Sequence, residues 1–365
     1  MFKIQSEILK GIVSSLAKGA RKAKLGERFI FINTIGDKIS FYFNGDDVSV
    51  EKVVQANIQA NLDIATTMKE LEPKVAALPN GEEILCEVKS NQLKLRWGRN
   101  AEISVDTVPE TTPMLAIPNM AEQVKWAPGS LHGVARVMPP FTANLNSTHG
   151  TRAPATCGPN FSKDAETGQV FVKATDGFKA LTTKAQKLDW FTKTVSIESG
   201  TLMGVADVIP DDTEITVGIN HDASLVVFQA GSTTAVVKTL VGQFPPVDRF
   251  YRLDTKSKWR FDRQELIELC RRVKILSPQK PILEFRIKGG KVHAVIPSTL
   301  DQQVAVVVEG DPEEFAINAT YLEMTACLYR GDEVILHVEA HNKAITVGVE
   351  GSDEVRALLS PTQLR

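Results

Sequence analysis

Apolar residues recur along the start of the chain at two different periods. Ile8, Leu9, Ile12, Val13 and Leu16 stand at helical spacing, which predicts an amphipathic helix over residues 7–24. A short strand at 2–4 leads into it, with Ser6 as the expected N-cap. Period two then takes over. Residues 29–33 and 39–43 read as strands around a turn at Gly36-Asp37, and 48–58 continues the alternation. A second helix is expected over 66–78, stopped by Pro79-Asn80-Gly81. Residues 84–88, 93–97 and 103–105 predict a meander around the polar turn at 89–92. Two helices with six or more strands make an α+β unit with an antiparallel sheet.

The same pattern returns twice. Ile4, Trp126 and Phe261 each sit in a short strand, and the first apolar helix residue follows five positions on, at Leu9, Leu131 and Leu266. A helix and a returning strand follow later in each third, with an acidic residue before that strand at Glu83, Glu214 and Glu333. A period of about 120 residues is domain-sized, well above solenoid periods. The fold expected is therefore α+β, with three tandem copies of a two-helix, antiparallel-sheet domain at 1–120, 121–250 and 251–365. The middle third departs most. Pro139-Pro140 stops its first helix, and the Asn-, Ser-, Thr-, Gly- and Pro-rich stretch 141–159 reads as an exposed loop. In the last third Gly289-Gly290 marks a hairpin turn.

Length and composition suit two or three soluble domains: 365 residues with a formal net charge of −2. That balance excludes a uniformly basic coat and permits a local basic face. Cys86, Cys157, Cys270 and Cys327 form no C-x-x-C pair and read as buried thiols in a reducing compartment. With no signal-peptide pattern and no apolar run of membrane-spanning length, a cytoplasmic location without membrane contact is expected. No phosphate loop is present, since Gly231-Ser232-Thr233-Thr234 lacks the lysine and lies between strands. His337 and His341 are four apart, but the text around them is strand-like and contains a turn, so no metal site is expected. A hydrolase built on that pair would need bound metal. No enzyme and no cofactor are expected.

The first helix of each third is more informative. Lys10, Lys18, Arg21, Lys22 and Lys24 in the first, Arg136 in the second, and Arg271, Arg272 and Lys274 in the third put basic residues toward equivalent helix ends. A solvated face would explain any one of them. Three equivalent helices around an axis would line one basic surface able to track phosphates without reading bases.

Four local motifs in order carry a resemblance over essentially the whole chain. Ala174-Thr175-Asp176-Gly177-Phe178-Lys179-Ala180 resembles an A-T-D-G-H-R-L segment, and Leu240-Val241-Gly242-Gln243-Phe244-Pro245 is similar to L-[IV]-[DE]-G-x-F-P. Ile275-Leu276-Ser277-Pro278-Gln279-Lys280 resembles I-L-S-x-x-K, and 358–364 lies where a V-[ML]-P-M-R-L-like end is found. These belong to the bacterial sliding clamp, the beta subunit of DNA polymerase III. The resemblance implies a head-to-tail homodimer forming a six-domain ring that encircles duplex DNA without sequence preference. Ile103 and Val105 would lie on an edge strand facing Ile275 and Leu276 of a second copy. It also implies a groove for short peptides of DNA polymerase, the clamp loader and other proteins bearing a clamp-binding motif. Its wall would comprise Thr175, Gly177, Phe178, Lys179, Ala180, Pro245, Arg249 and Phe250. Its other side would be Ala344 with Leu358, Leu359, Ser360, Pro361, Thr362, Gln363 and Leu364, the tail leucine packing on Phe178, Pro245 and Phe250. The implied function is a processivity factor; the alternative is a clamp-like interaction protein, a decoy or resistant accessory clamp. Phe178-Lys179-Ala180 in place of His-Arg-Leu, and a tail without methionine, are departures that fit a phage-encoded or accessory clamp.

Overall fold

The apolar stripe of the first helix decides which way it faces. In the computed structural model, which describes residues 1–23, 28–108, 116–186 and 188–364, Leu9, Ile12, Val13, Leu16, Ala17 and Ala20 are buried along one side of that helix. Ile8 is the exception and is exposed. The first third runs β1 (Phe2–Gln5), α1 (Ser6–Lys22), β2 (Phe29–Ile35), β3 (Lys38–Asn44), β4 (Val48–Gln55), β5 (Asn57–Ile58), β6 (Asp63–Thr67), α2 (Met68–Ala76), β7 (Glu83–Lys89), β8 (Gln92–Trp97) and β9 (Ala101–Asp106). The middle third runs β10 (Met120–Trp126), α3 (Ser130–Val137), α4 (Thr148–Arg152), β11 (Asn160–Lys163), β12 (Val170–Thr175), β13 (Lys179–Lys184), β14 (Val195–Ser196), α5 (Ser199–Val208), β15 (Ile215–Asn220), β16 (Leu225–Ala230) and β17 (Thr233–Lys238). The last third runs β18 (Ser257–Asp262), α6 (Arg263–Leu276), β19 (Ile282–Lys288), β20 (Lys291–Ile296), β21 (Leu300–Gln303), β22 (Val306–Gly310), β23 (Phe315–Asn318), α7 (Ala319–Ala326), β24 (Glu333–Val338), β25 (Ile345–Val349) and β26 (Ser352–Leu359).

Strand register makes the internal repeat concrete. Ile4 lies opposite Ile84, Trp126 opposite Ile215, and Phe261 opposite Val334, all in antiparallel pairs. Beside each pair a cation on the first strand meets the acidic residue of the returning one: Lys3–Glu83 at 2.9 Å, Lys125–Glu214 at 2.7 Å and Arg260–Glu333 at 3.2 Å. Such surface pairs add little stability. Their value is that they mark equivalent positions.

The chain packs as two units, residues 1–136 with 187–241, and residues 137–186 with 242–365. In the first unit one sheet has the order β10-β15-β16-β17-β4-β3-β2-β6 and another β5-β1-β7-β8-β9. Helix α1 meets α5 at two glycines. A Cβ on Gly204 would lie 2.6 Å from the Gly19 carbonyl oxygen, and one on Gly19 would lie 2.5 Å from Val208, so only glycine permits this approach. In the second unit the order is β11-β12-β13-β26-β25-β24-β18-β22, with a second sheet β21-β20-β19-β23. Trp259, Phe261, Phe285 and Phe315 pack in its interior.

Three expectations about the fold are corrected. Cys327 is exposed, whereas Cys86, Cys157 and Cys270 are buried as expected. Ser6 is not the cap of α1: it is the first helical residue, its N–H donates to the Glu82 carbonyl at 2.9 Å, and Gln5 holds the cap position without a side-chain bond. The true caps are elsewhere, for example Thr67 accepting from the Glu70 N–H and Asp262 from the Glu265 N–H. Stretch 141–159 is not an exposed loop. Phe141, Ala155, Thr156 and Cys157 are buried, and its polar residues fold it back on itself. Ser147 Oγ caps α4 through the Gly150 N–H at 3.0 Å, and Thr151 Oγ1 donates to the Ser147 carbonyl at 2.9 Å. Composition rich in such residues marks local capping as readily as solvent exposure.

Candidate functional site

The groove starts from a tight turn. Gly177 has φ of +88°, and the Asp176 carboxylate accepts the N–H groups of Phe178 and Lys179, each at 2.9 Å. Thr175 Oγ1 donates to the Lys179 carbonyl at 2.8 Å, closing the turn between β12 and β13. Phe178 is thereby left 62% exposed at the tip. Lys179 goes the other way: it is buried, pairs with Asp176, and its Nζ stands 4.6 Å above the Tyr321 ring. Strand β26 lies beside β13 with Leu358 opposite Ala180, and the Ser360 N–H donates to the Phe178 carbonyl at 2.8 Å. Ala180, Leu358 and Val247 form a small buried cluster with Phe244, Tyr251 and Ala344 against it.

Around this cluster opens a cavity of about 930 Å³, lined by Thr175, Gly177, Phe178, Lys179, Ala180, Pro245, Arg249, Phe250, Ala344, Leu358 and Ser360, all expected there, together with seven further residues. Those seven are His149, Val247, Arg252, Asp254, Glu339, Asn342 and Lys343. The arrangement combines an apolar floor with a rim of both charges, which suits an extended peptide with apolar anchors. His149 is the most informative of the additions. Its ring lies under Gly177, where a Cβ would come within 2.9 Å of it, and its buried Nε2 has no hydrogen-bond partner among the described residues. No periodic signal announces it, because a short capped helix inside an irregular stretch brings it here.

The tail is a correction. Leu359, Pro361, Thr362, Gln363 and Leu364 do not line the cavity. Leu359 is fully buried in β26, and the Thr362 N–H donates to the Ala316 carbonyl at 2.8 Å, which draws the tail to β23 instead. Leu364 is only partly buried.

The helix cations divide by partner. Arg21 pairs with Glu72 at 2.7 Å, Lys10 donates to Asn80 at 2.7 Å, and Arg272 bonds Gln302. Arg271 and Lys274 share Glu323 at 2.9 and 2.7 Å; burial opposes that carboxyl's charge, but the two hydrogen bonds outweigh it and hold its pKa low. Lys18, Lys22 and Arg136 are exposed and pair with no acid among the described residues. Lys24 lies outside the described residues.

Of the four expected interface residues, Ile275 is 79% and Leu276 43% exposed at the end of α6. Ile103 is half-buried on β9, an edge strand paired with β8. Val105 is a correction: it is fully buried within its own unit, as are its register equivalents Val237 and Leu359.

No protein-family model matches the sequence, nor does any curated protein. Solved structures do. A DNA polymerase III beta chain from Streptococcus pneumoniae superposes with a TM-score of 0.86 at 19% identity, covering 100% of this chain and 99% of that one. A DNA polymerase sliding clamp from Pseudomonas aeruginosa with ligand gives 0.85 at 19% identity, with the same coverage. A sliding clamp from Bartonella birtlesii bound to griselimycin gives 0.85 at 17% identity, again covering 100% and 99%. At such identities the likeness is one of fold, and over its whole length this chain has the sliding-clamp fold of the bacterial DNA polymerase III beta subunit.

Proposed function

We propose that this protein is a DNA sliding clamp, a non-catalytic processivity factor of three clamp domains (1–120, 121–250 and 251–365) that dimerises head to tail around duplex DNA. The observation carrying the reading is the full-length fold likeness to clamps. Two edges of the sheets support the dimer. In both units the last strand of one repeat pairs with an earlier strand of the repeat before it: β17 with β4, where Ala235 lies opposite Val50, and β26 with β13, where Ala357 lies opposite Leu181. Carried through the register of each repeat, the same two positions in the first and last repeats are Ile103 on β9 and Leu300 on β21. Both strands are sheet edges among the described residues. An open edge is a liability that pairing removes, and pairing β9 of one copy with β21 of a second closes a ring through equivalent contacts.

Topological linkage then replaces affinity: a tethered polymerase that lets go of its primer end stays at high local concentration and rebinds. Exposed Lys18, Lys22 and Arg136 would touch phosphates weakly enough to permit sliding. The cavity beside Phe178 would take the peptides of polymerase and clamp loader. Loading the protein on nicked circular DNA tests the reading. It should stay on the circle in salt that screens phosphate contacts and leave when the circle is cut. Equal retention on linear and circular DNA would end it.

A further inference from the structure

One wall of the cavity is a single short turn, and the contacts that hold it lie behind it. Residues Val247–Phe250 form a 3-10 turn that presents Val247, Arg249 and Phe250 to the cavity. Phe250 is 48% exposed with the Arg249 guanidinium 4.8 Å above its ring, and among the described residues no side-chain ion pair holds Arg249 from the cavity side. The fixing comes from the opposite side. Tyr251 Oη reaches Thr182 Oγ1 on β13 at 3.1 Å and the Arg356 carbonyl on β26 at 3.0 Å, bridging the two strands that form the cavity floor. The Arg252 N–H donates to Thr346 Oγ1 at 3.0 Å, and Asp248 pairs with Lys173 at 2.5 Å.

These anchors are unequal. Asp248 is more than half exposed, so its ion pair is screened and weak. The Tyr251 hydroxyl can donate its one proton to the Arg356 carbonyl while its oxygen accepts from the Thr182 hydroxyl, so losing it takes a partner from two partly buried groups. We propose that Tyr251 is a positioning residue for the peptide groove: by tying the 247–250 turn to β13 and β26 from behind, it holds Arg249 and Phe250 where a bound peptide needs them. The proposal rests on the groove reading above. It makes the groove's front wall depend on a hydroxyl that no peptide touches, with Thr182 as its partner in that role.

The test measures binding of a fluorescent pentapeptide, Gln-Leu-Asp-Leu-Phe, whose polar residues suit the charged rim and whose apolar ones suit the floor. Wild type, Tyr251→Phe, Thr182→Val, Phe250→Ala and the double variant Tyr251→Phe/Phe250→Ala are compared, each with its melting temperature and the amide exchange of residues 247–252. Tyr251→Phe and Thr182→Val should each weaken binding five- to tenfold and speed exchange across the turn. Phe250→Ala should cost much less in the Tyr251→Phe background than alone, because the ring is already misplaced. Unchanged affinity per folded molecule, with only a lowered melting temperature, or fully additive losses, would reduce Tyr251 to a structural residue and overturn the proposal. No binding by wild type would overturn the groove reading itself, and this proposal with it.

Discussion

Two closed seams and two open edges use the same strand positions, and their side chains differ accordingly. Where β17 meets β4 and β26 meets β13, the facing residues Ala235 with Val50 and Ala357 with Leu181 are all fully or almost fully buried. At the equivalent positions of the open edges, Ile103 and Leu300 are half-buried. The helices tell the same story. Gly19, which touches α5 inside the first unit, corresponds in the last repeat to Leu276 when counted from Leu9 and Leu266, and Leu276 is exposed. Ile103 and Leu276 are thus larger than the alanines and the glycine at the closed positions, while Leu300 matches Leu181 in size and differs from it in exposure. In the proposed dimer a second copy would cover these positions, and the register names which residues should meet.

Breaking a closed seam should have the largest effect. Alanine in a helix interior is normally better than glycine by about 1 kcal/mol, but at Gly204 the added carbon meets a backbone oxygen at 2.6 Å. Gly204→Val should therefore destabilise the first unit by about 3 kcal/mol, read from denaturant melts. An unaltered midpoint would show that α1 and α5 separate without cost.

Opening the proposed intermolecular seam comes next. Leu276→Asp or Leu300→Asp should give monomers by light scattering where wild type is dimeric, because a buried unpaired carboxylate costs several kcal/mol. The register itself is sharpened by Ile103→Cys combined with Leu300→Cys. Directly opposed residues in antiparallel strands lie within disulfide reach, so oxidation should give a covalent dimer that neither single variant forms. A crosslink favouring a neighbouring position instead would shift the register.

A smaller effect tests charge across that seam. The same register sets Glu102 opposite Asp301, two like charges that are each neutralised at home. Arg96 and Lys94 bond Glu102, and Lys288 and His293 bond Asp301. The Arg96 hydrogen bond holds the Glu102 carboxyl below its ordinary value. Arg96→Gln should weaken dimerisation a few-fold at neutral pH, since like charges opposed across strands repel. The deficit should shrink as pH falls through the ordinary carboxylate range, where the variant's Glu102 takes up a proton, and sedimentation at two pH values reads it. The smallest change is a control outside any seam. Gly11 has open space around it, so Gly11→Ala should stabilise α1 by up to about 1 kcal/mol.

Much of this fold was legible because local periods repeat. The strand–helix openings at Ile4, Trp126 and Phe261 and the acidic residues at Glu83, Glu214 and Glu333 fall into one register in the structure. The hairpin at Gly289-Gly290 follows from turn chemistry, both glycines having positive φ. The groove was legible in part, through the Asp176-Gly177 turn and Pro245. His149 was not, since an irregular stretch carries no period to read. Nor was the course of the tail past Ser360 or the burial of Val105, because each depends on a strand distant in sequence.

The sequence by itself determined the elements, their order and their threefold recurrence, since side-chain period and turn residues act over a few positions. Which edges are paired and which left open, which face of β9 turns inward, and that the tail joins β23 rather than the cavity were decided only by tertiary structure. Backbone hydrogen bonds between strands are indifferent to side chains. Their pairing is chosen by which buried faces can be closed together once the whole sheet exists.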